Sequence, residues 1–338
     1  MSAPYRVGLS GDFRKADGSP TFPDFDTRPL FDAPGVEVVY LDMANPVRAD
    51  QIVDIDALIL LTPHFKAERI HPNGRLGVVA RFGVGYDNVD VDACTKAGIA
   101  LVITPDGVRR PVAVSILTFI LALTGKLMIK DTLTREGPSG FHRRGDYMGV
   151  GLVGRTLGSV GIGNIGAELF RLAKPFDMRF IAHDPFADPI VAQELGIELV
   201  GLEDVFRQAD ILTINCPLTP QTKHLVNAER LGLMKPTAYF INTARGPIVD
   251  QKALTKVLQE RRIAGAGLDV FEVEPPEADD PILNLDNVIV APHALCWTDQ
   301  CFAGNGAADV RAVLDVQRGR APRGVVNRMV LEDSRFKA

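Results

Sequence analysis

The stretch SVGIGNIG at residues 159–166 decides the fold. It joins a short apolar segment to three closely spaced glycines and to the start of an amphipathic pattern. The apolar positions of that pattern recur at helical spacing, at Ile165, Leu169, Leu172 and Phe176. In a strand–turn–helix unit, Gly161 would permit the tight turn, Gly163 the approach of a pyrophosphate to the backbone, and Gly166 close packing of helix on strand. The stretch therefore predicts a dinucleotide-binding turn.

An acidic residue follows the next predicted strand. Asp184 comes directly after Arg179–His183, where a carboxylate can accept hydrogen bonds from both hydroxyls of a ribose. Its charge would repel a 2′-phosphate, and the following PFADPI supplies no Arg to compensate, so the sequence predicts NAD rather than NADP. Asn164 and Ile165, at the helix N-terminus, complete the predicted phosphate contacts. The alternative is a glycine-rich turn beside an unrelated surface Asp. The strand, the helix and the acid occur in the order and spacing of a dinucleotide-binding unit, which favours nucleotide binding.

Strand-like runs alternate with helical patterns over nearly the whole chain. The predicted strands are Arg6–Leu9, Val36–Leu41, Ala57–Leu61, Gly77–Arg81, Ile99–Ile103, Ser159–Ile162, Arg179–His183, Ile211–Asn215, Ala238–Asn242, Gly265–Asp269 and Val288–Ala291. Such alternation is typical of parallel sheets covered by helices on both faces, so the sequence predicts an α/β protein. A chain of 338 residues is long enough for two domains.

The position of the glycine turn indicates how two domains share the chain. The turn belongs after the first strand of its own sheet, so the residues before it need a separate core. The tail after the last strand is too short to form a domain alone. The sequence therefore predicts a discontinuous substrate domain, residues 1–106 and 297–338, with a nucleotide-binding domain, residues 107–296, inserted into it.

Two helices would make the crossings between these domains. One is a long apolar helix from about Arg109 to Lys130, and the other follows Trp297. Gly304 and Gly306 are poor helix residues and weaken the second prediction. Two crossings would form a hinge beside a cleft.

Composition and charge exclude several other classes of protein. The chain is 46% hydrophobic and 23% charged, as globular proteins are, and a net charge of −5 without a long basic run argues against nucleic acid as a partner. Four cysteines are too few for a disulfide framework, and the N-terminus lacks a signal-peptide pattern, so we expect a cytoplasmic protein. The longest apolar stretch, Pro111 to Met128, contains Ser, Thr and Lys and predicts a buried helix rather than a membrane span. No metal-binding motif is recognisable, so we expect no metal.

Further candidate residues stand at or beyond the ends of later strands in the same predicted sheet. Ligands of parallel sheets gather at the C-terminal ends of the strands. These candidates are Cys216, Pro217, Thr243, Ala244, Arg245, Asp269, Glu274 and His293. Arg245 could hold a carboxylate in a bidentate pair, and His293 could act as an acid or base. For Cys216 and Pro217, an ordinary structural turn is an equal alternative.

Five motifs occur in the order and spacing of a known family. They are RFGVGYDNVD (81–90), GIGNIG (161–166), NTARGPIVD (242–250), GLDVFEVEP (267–275) and APH (291–293). With them the chain resembles, over almost its whole length, the D-isomer-specific 2-hydroxyacid dehydrogenases, which include 3-phosphoglycerate dehydrogenases and glyoxylate or hydroxypyruvate reductases. The resemblance implies two doubly wound parallel-sheet domains, a Rossmann NAD-binding domain inserted into a flavodoxin-like substrate domain. It also implies NAD(H) as cofactor and usually a homodimer.

The resemblance assigns catalytic roles to three residues. Arg245, Glu274 and His293 match the family's catalytic Arg, Glu and His. The implied reaction interconverts a D-2-hydroxy acid and its 2-oxo acid by hydride transfer. His293 would act as acid and base, Glu274 would orient its ring, and Arg245 would bind the substrate carboxylate.

The resemblance assigns binding roles as well. Asp184 matches the ribose-binding acid, and Asp269 matches an acid near the nicotinamide carboxamide. The loop whose backbone receives the substrate carboxylate falls on Gly83, Val84 and Gly85.

Two segments depart from the family pattern. The family commonly has Asn before the first interdomain helix and Glu within it, where this chain has Arg109 and Val114. Arg109 and Arg110 could receive a second anionic group of the substrate or could be solvated. Past His293, the usual small residues give way to ALCW, residues 294–297, and Trp297 could form a pocket wall or pack at the hinge. These departures leave the substrate side chain open.

Two other functions share this fold. Formate dehydrogenases carry Gln where this chain has Glu274, so the carboxylate argues against that activity. An NAD(H)-sensing interaction protein of the corepressor type retains much of the same site and stays open as an alternative.

Overall fold

The chain divides into two compact units. A computed structural model describes residues 3–332 and Phe336. Unit 1 contains the residues up to Val108 and those from Trp297 onward, and unit 2 contains Arg109–Cys296. Each unit has its own parallel sheet, and each is described separately below.

Both units contain strands and α-helices. Within the described residues the strands are β1 (Tyr5–Leu9), β2 (Val36–Tyr40), β3 (Ala57–Leu60), β4 (Val78–Arg81), β5 (Ala100–Ile103), β6 (Thr156–Val160), β7 (Arg179–His183), β8 (Ile197–Leu199), β9 (Ile211–Ile214), β10 (Tyr239–Asn242), β11 (Gly265–Leu268) and β12 (Val288–Val290). The α-helices are α1 (Arg28–Phe31), α2 (Ala49–Ile52), α3 (Val91–Lys96), α4 (Pro105–Gly125), α5 (Leu127–Arg135), α6 (Pro138–His142), α7 (Asn164–Ala173), α8 (Pro189–Leu195), α9 (Leu202–Gln208), α10 (Ala228–Leu231), α11 (Gln251–Gln259) and α12 (Asp299–Gln317).

The sheet of unit 1 has the flavodoxin-like strand order. Its five strands run parallel in the order β2-β1-β3-β4-β5. The central strands are apolar on both faces, as expected of a parallel sheet with helices on each side. Leu58, Leu60, Val79 and Leu101 are fully buried in its core. The C-terminal ends of β1 and β4 therefore meet at one edge, where ligands of such sheets bind.

The sheet of unit 2 has the doubly wound order of a nucleotide-binding domain. Its seven strands run parallel in the order β12-β11-β10-β9-β6-β7-β8. The order reverses between β6 and β9, and the crevice at such a reversal is the usual ligand site. Helix α7 covers this region with Leu169 and Phe170, both fully buried. The predicted fold class is confirmed for both sheets.

The predicted strands overlap the observed ones, with ends that differ by at most one residue except in β6, and one observed strand, β8, has no predicted counterpart. Strand β6 begins at Thr156, three residues before the predicted start, and ends at Val160, so Ile162 lies in the turn instead. Its sequence TLGSV contains Gly and Ser, which fit a strand poorly by propensity, yet all five residues are buried. The edge strand β8 was not predicted, because it is only three residues long and two of them are exposed.

The long apolar helix differs from its prediction at both ends. Helix α4 begins at Pro105 and ends at Gly125, and Lys126 then adopts a left-handed backbone with φ 56° before α5 starts. Among the described residues, α4 is the one helix long and apolar enough to cross a membrane, and 67% of its apolar window is buried. A core helix of this kind was predicted for the stretch.

Helix α12 runs unbroken from Asp299 to Gln317 although it contains two glycines. Neighbours approach closely at both positions, since a Cβ at Gly304 would lie 3.1 Å from the Gly107 Cα and one at Gly306 would lie 2.3 Å from the Phe25 ring. The two glycines lower the helix propensity of α12 but allow this close packing within unit 1.

Candidate active site

The glycine turn after β6 has the geometry that phosphate binding requires. Gly161 has φ +95°, and a Cβ there would lie 2.8 Å from the backbone of Asn215. A Cβ at Gly166 would lie 2.6 Å from the Gly161 carbonyl oxygen, so α7 packs directly on the turn. Around Gly163, by contrast, no described atom lies within 4 Å of a Cβ position. Gly163 is also the N-cap of α7 and offers no side-chain acceptor to its first amides. This backbone is therefore open to an anionic group.

Polar side chains beneath the turn hold it in place. Ser159 Oγ donates to the Gly161 carbonyl oxygen at 2.6 Å. Asn215 Nδ2 donates in turn to Ser159 Oγ and to Thr213 Oγ1, both at 2.9 Å. Sequence analysis missed Ser159 and Asn215, although polar residues near the ends of two buried strands were a signal for such a network.

Asp184 lies beside this turn. Its Oδ2 accepts from the Ile162 amide and its Oδ1 from the Phe186 amide, each at 2.9 Å. A carboxylate has about four acceptor positions, so two remain for the hydroxyls of a ribose. A cavity of about 330 Å³ lies next to it, and its lining includes Arg109, Gly163, Asn164, Arg171, Asp184 and Asp188. The described residues thus provide a phosphate turn, a ribose acceptor and a cavity, and they fit a dinucleotide.

Arg109 and Arg110, at the start of unit 2, lie at this cavity and against α7, respectively. Arg110 Nε contacts Glu168 Oε1 at 2.7 Å, and the Glu168 side chain is only 5% exposed. Glu168 accepts from Arg171 as well. Arg109 lines the nucleotide cavity. Contact of Arg109 or Arg110 with a second anionic group of the substrate stays a prediction, and Arg110 is paired with Glu168 in the structure.

The ends of β9 and β10 flank the turn. Cys216 directly follows Asn215, whose backbone contacts Gly161; burial, with a smaller effect of the Asp184 charge, raises the pKa of the Cys216 thiol to about 11. Pro217 shapes the loop, and its carbonyl oxygen accepts from Thr222. After β10, the Thr243 hydroxyl is buried and makes no hydrogen bond to any described residue, so it can serve a bound group. Contact of Cys216, Pro217 and Ala244 with the cofactor stays a prediction.

Arg245 is placed by an unusually close turn. A Cβ at Gly246 would lie 1.7 Å from the Phe271 carbonyl oxygen, so only glycine lets the segment after β10 lie against the segment after β11. Arg245 Nη1 donates to the Ala244 carbonyl oxygen at 2.8 Å, and its charge acts on Glu274. The predicted Arg and Glu are therefore neighbours within unit 2.

Glu274 and His293 form a hydrogen-bonded pair. His293 Nδ1 lies 2.7 Å from Glu274 Oε2, and Glu274 Oε1 accepts from the Phe271 amide at 2.9 Å. Burial raises the pKa of the Glu274 carboxyl, but the hydrogen bond and charge of His293, with smaller effects of Phe271 and Arg245, bring that pKa below its ordinary value. Ionised Glu274 can only accept, so Nδ1 carries a proton and Nε2 is left to exchange one with a ligand.

Asp269 supports the segment that carries His293. Its carboxylate is 3% exposed and accepts from the amides of Ala294 and Leu295 at 3.0 and 3.2 Å. Burial raises the pKa of Asp269 above its ordinary value, against the lowering effect of these two amides. His293 itself has a left-handed backbone, φ 55°, which such anchoring helps to hold. Contact of Asp269 with a carboxamide stays a prediction.

The predicted carboxylate loop lies in unit 1, directly after β4. The Gly83 amide donates to Thr104 Oγ1 at 2.8 Å and is therefore already used. The amides of Val84 and Gly85 make no hydrogen bond to any described residue and can receive an anion. The predicted role thus fits Val84 and Gly85 better than Gly83.

All the groups described so far except the carboxylate loop lie in unit 2, which combines a dinucleotide site with an Arg, a carboxylate and an imidazole. Hydride transfer by a nicotinamide needs such a proton-exchanging group and a cation for an acidic substrate. Fold and site together define a nicotinamide-dependent dehydrogenase. His224 forms a second pair of this type, with Nε2 at 2.5 Å from Glu272 Oε1, which sequence analysis did not foresee.

Comparison with known proteins identifies the family. Residues 117–294, more than half of the chain, match the family model described as D-isomer specific 2-hydroxyacid dehydrogenase, NAD binding domain. A glyoxylate reductase of Korarchaeum cryptofilum is 39% identical over 300 residues, which are 87% of this chain and 90% of that protein. A D-3-phosphoglycerate dehydrogenase of Methanocaldococcus jannaschii is 38% identical over 280 residues, 82% of this chain and 53% of that protein. The chain belongs to the D-isomer-specific 2-hydroxyacid dehydrogenase family.

Solved structures agree with this assignment. A D-lactate dehydrogenase from Aquifex aeolicus, complexed with NAD and lactic acid, matches with a TM-score of 0.80 at 27% identity, over 93% of this chain and 96% of that one. A glyoxylate reductase from Paecilomyes thermophila matches with a TM-score of 0.81 at 25% identity, over 96% and 99%. The predictions of family and cofactor are confirmed: the protein uses NAD and interconverts 2-hydroxy acids and 2-oxo acids.

Asp184 makes the cofactor preference testable. Asp184→Asn keeps an acceptor for the Ile162 or Phe186 amide but removes the charge that would repel a 2′-phosphate. Because like charges in contact cost several kcal/mol, the ratio of kcat/KM with NADH to kcat/KM with NADPH should fall at least about tenfold. Asp188→Asn, a change at the same cavity in a helix cap, is the control. A ratio that Asp184→Asn leaves unchanged would place this carboxylate away from the ribose.

Proposed function

We propose that the protein works as an NADH-dependent reductase of a small 2-oxo acid, yielding the D-2-hydroxy acid. The observation that carries the proposal is the His293–Glu274 pair, with Arg245 acting on the same carboxylate, in the unit that holds the dinucleotide turn. Glyoxylate is the first candidate substrate, because several of the relatives at 35–39% identity are glyoxylate reductases.

The chemistry follows from which atoms can move protons. Bound NADH supplies a hydride to the carbonyl carbon of the 2-oxo acid. His293 gives the proton on Nε2 to the carbonyl oxygen, so that the C=O becomes CH–OH, and Glu274 holds Nδ1–H throughout. In the opposite direction the same nitrogen takes the hydroxyl proton.

Arg245 acts on the substrate anion. Its planar guanidinium can pair with a carboxylate through two parallel N–H donors, which fixes the position of the adjacent carbonyl. Its charge also stabilises the oxygen on which negative charge develops during hydride transfer. Both effects require the close approach of the two turns that Gly246 permits.

Two further statements belong to the same proposal. We place the protein in the cytoplasm, in line with its four cysteines, which are too few for a disulfide framework. We propose a homodimer, which the family resemblance implies. Neither the formate dehydrogenase nor the sensor alternative is favoured over the reductase by the comparisons.

The test is a substrate screen with the purified protein. NADH oxidation is followed with glyoxylate, hydroxypyruvate, pyruvate and phosphohydroxypyruvate, each over a range of concentrations. We expect saturable turnover with at least one unphosphorylated acid and, because Arg110 is ion-paired and Arg109 lines the cofactor cavity, a weak response to phosphohydroxypyruvate. Tight NADH binding without turnover on any acid would instead support the sensor.

A further inference from the structure

A pair of reciprocal hydrogen bonds joins two loops of unit 2. Gln251 is the first residue of α11 and follows β10, and Glu272 lies in the loop after β11. The Gln251 backbone amide donates to Glu272 Oε2 at 3.1 Å, and the Glu272 backbone amide donates to Gln251 Oε1 at 2.9 Å. Each side chain thus binds the backbone of the other residue. We call this contact the Gln251–Glu272 bridge.

Both side chains of the bridge are fixed by further partners. Gln251 Nε2 donates to Asp280 Oδ2 at 2.7 Å, which sets the orientation of the side-chain amide. The other carboxylate oxygen of Glu272, Oε1, lies 2.5 Å from His224 Nε2, and the backbone amide of His224 donates to the Pro247 carbonyl oxygen at 2.9 Å. A polar network whose members are all hydrogen-bonded specifies one arrangement of its backbone.

The two loops that the bridge joins carry groups of the candidate active site. Arg245 lies on the loop after β10, and Glu274 lies on the loop after β11. The Phe271 amide, in the peptide unit directly before that of Glu272, donates to Glu274 Oε1 at 2.9 Å. Glu274 Oε2 lies in turn 2.7 Å from His293 Nδ1. The bridge therefore holds the backbone that orients the carboxylate of the His–Glu pair.

The bridge acts on Glu274 through position rather than through charge. The charges that act on the pKa of this carboxyl are those of His293 and Arg245, and the Glu274 charge acts in turn on Asp269. The backbone hydrogen bond from Phe271 also lowers the Glu274 pKa. A shift of the loop would weaken that bond and move the carboxylate. Misplacement of a catalytic group by about 1 Å can cost about 10²-fold in rate.

We propose that Gln251 and Glu272 are positioning residues of the reductase reaction, because their bridge sets the place of Glu274 and, through it, of the His293 ring. This inference rests on the proposed reductase function. No proton of the reaction passes through the bridge. His224 adds a contact to one oxygen of Glu272, but the two hydrogen bonds of the bridge do not depend on it.

The experiment measures kcat, KM and the pH dependence of kcat with glyoxylate, or with whichever acid turns over fastest in the screen, at saturating NADH. We expect Glu272→Ala to lower kcat at neutral pH about tenfold or more. Its decline of kcat in acid should begin at a higher pH than in wild type, because Glu274 loses part of the Phe271 hydrogen bond that lowers its pKa. Glu272→Gln keeps an acceptor for Gln251 and should restore most of the rate and the acid limb.

A second variant and a matched control accompany this comparison. Gln251→Ala breaks the bridge from its other side, leaves the Glu272 carboxylate in place, and should show the same two changes. Glu198→Ala removes a glutamate of β8 that pairs with Arg179 at 2.7 Å, and it should leave kcat and the acid limb unchanged. Fluorescence titration should give the same NADH affinity for every variant, since the dinucleotide turn is untouched.

Each result decides the matter. Wild-type kcat and acid limb in both alanine variants would overturn the inference while the reductase function stands. A Glu272→Gln variant as slow as Glu272→Ala would also overturn it, since the charge and not the bridge would then matter. A slower alanine variant with an unshifted acid limb and a lower unfolding temperature would leave the bridge a merely structural role. Absence of NADH oxidation by wild type with every acid would remove the reductase function and this inference with it.

Discussion

Replacing His293 with alanine is expected to lower kcat for reduction by about 10²- to 10⁴-fold, the usual contribution of a positioned acid–base group. The imidazole is the group in unit 2 that pairs with a carboxylate through Nδ1 and keeps Nε2 for a ligand. NADH affinity should change little, because the dinucleotide turn and Asp184 are untouched. Steady-state kinetics with glyoxylate and fluorescence titration with NADH measure the two quantities separately.

His224 provides the matched control for that substitution. Its side chain is 42% exposed like that of His293, its φ of 51° is also left-handed, and it too contacts a glutamate. Since the mechanism gives it no proton to move, His224→Ala should keep kcat within a few-fold of wild type. An equal loss in both variants would show that disturbing a His–Glu pair, rather than removing an acid–base group, causes the effect.

The pH profile separates the roles of the pair further. The pKa of Glu274 is below its ordinary value, so the carboxylate stays charged as pH falls from neutrality and protonates only in more acidic solution. Glu274→Gln removes the negative charge beside His293 Nδ1. The reduction rate of this variant should be lower than that of wild type at neutral pH, and it should lack the further decline in acid that protonation of Glu274 causes in wild type. A variant with the rate and the acid limb of wild type would reduce Glu274 to a structural role.

The architecture of the chain could be predicted from its sequence because each sheet is buried on both faces. Buried parallel strands read as apolar runs, and a helix such as α7 reads as a stripe, so the order of elements follows from pattern alone. The boundaries of the strands and helices do not follow from the pattern, since they depend on contacts with residues distant in sequence. Strand β6 keeps a Gly and a Ser in its interior because Gly158 packs against Ala209, a contact that the local pattern cannot announce.

The site residues likewise divide into those that the sequence could predict and those that it could not. Gly161, Gly166 and Asp184 could be predicted because turn geometry and ribose binding demand particular residue types at fixed spacing. The closeness of Arg245 to Glu274 could not, since it depends on the contact between Gly246 and Phe271. The same holds for Asp269, whose hydrogen bonds run to residues 25 and 26 positions further along the chain.

Arg245→Lys should lower kcat/KM for the 2-oxo acid by about 10²- to 10³-fold although the positive charge is kept, the loss typical of one electrostatic donor at a developing oxyanion. Lysine offers one ammonium in place of a planar fork, so it cannot hold a carboxylate bidentately. The loss should appear in KM as well as in kcat, because the same group binds the ground-state carboxylate and stabilises the transition state.

The control for this substitution is another arginine of unit 2. Arg230, whose side chain is 26% exposed, contacts Glu203 and donates to the Leu225 carbonyl oxygen, so Arg230→Lys carries the same change in shape away from the dinucleotide turn. It should cost stability at most, with near-normal kinetics. Near-normal kinetics in Arg245→Lys as well would remove Arg245 from the site, and the substrate carboxylate would then need another cation.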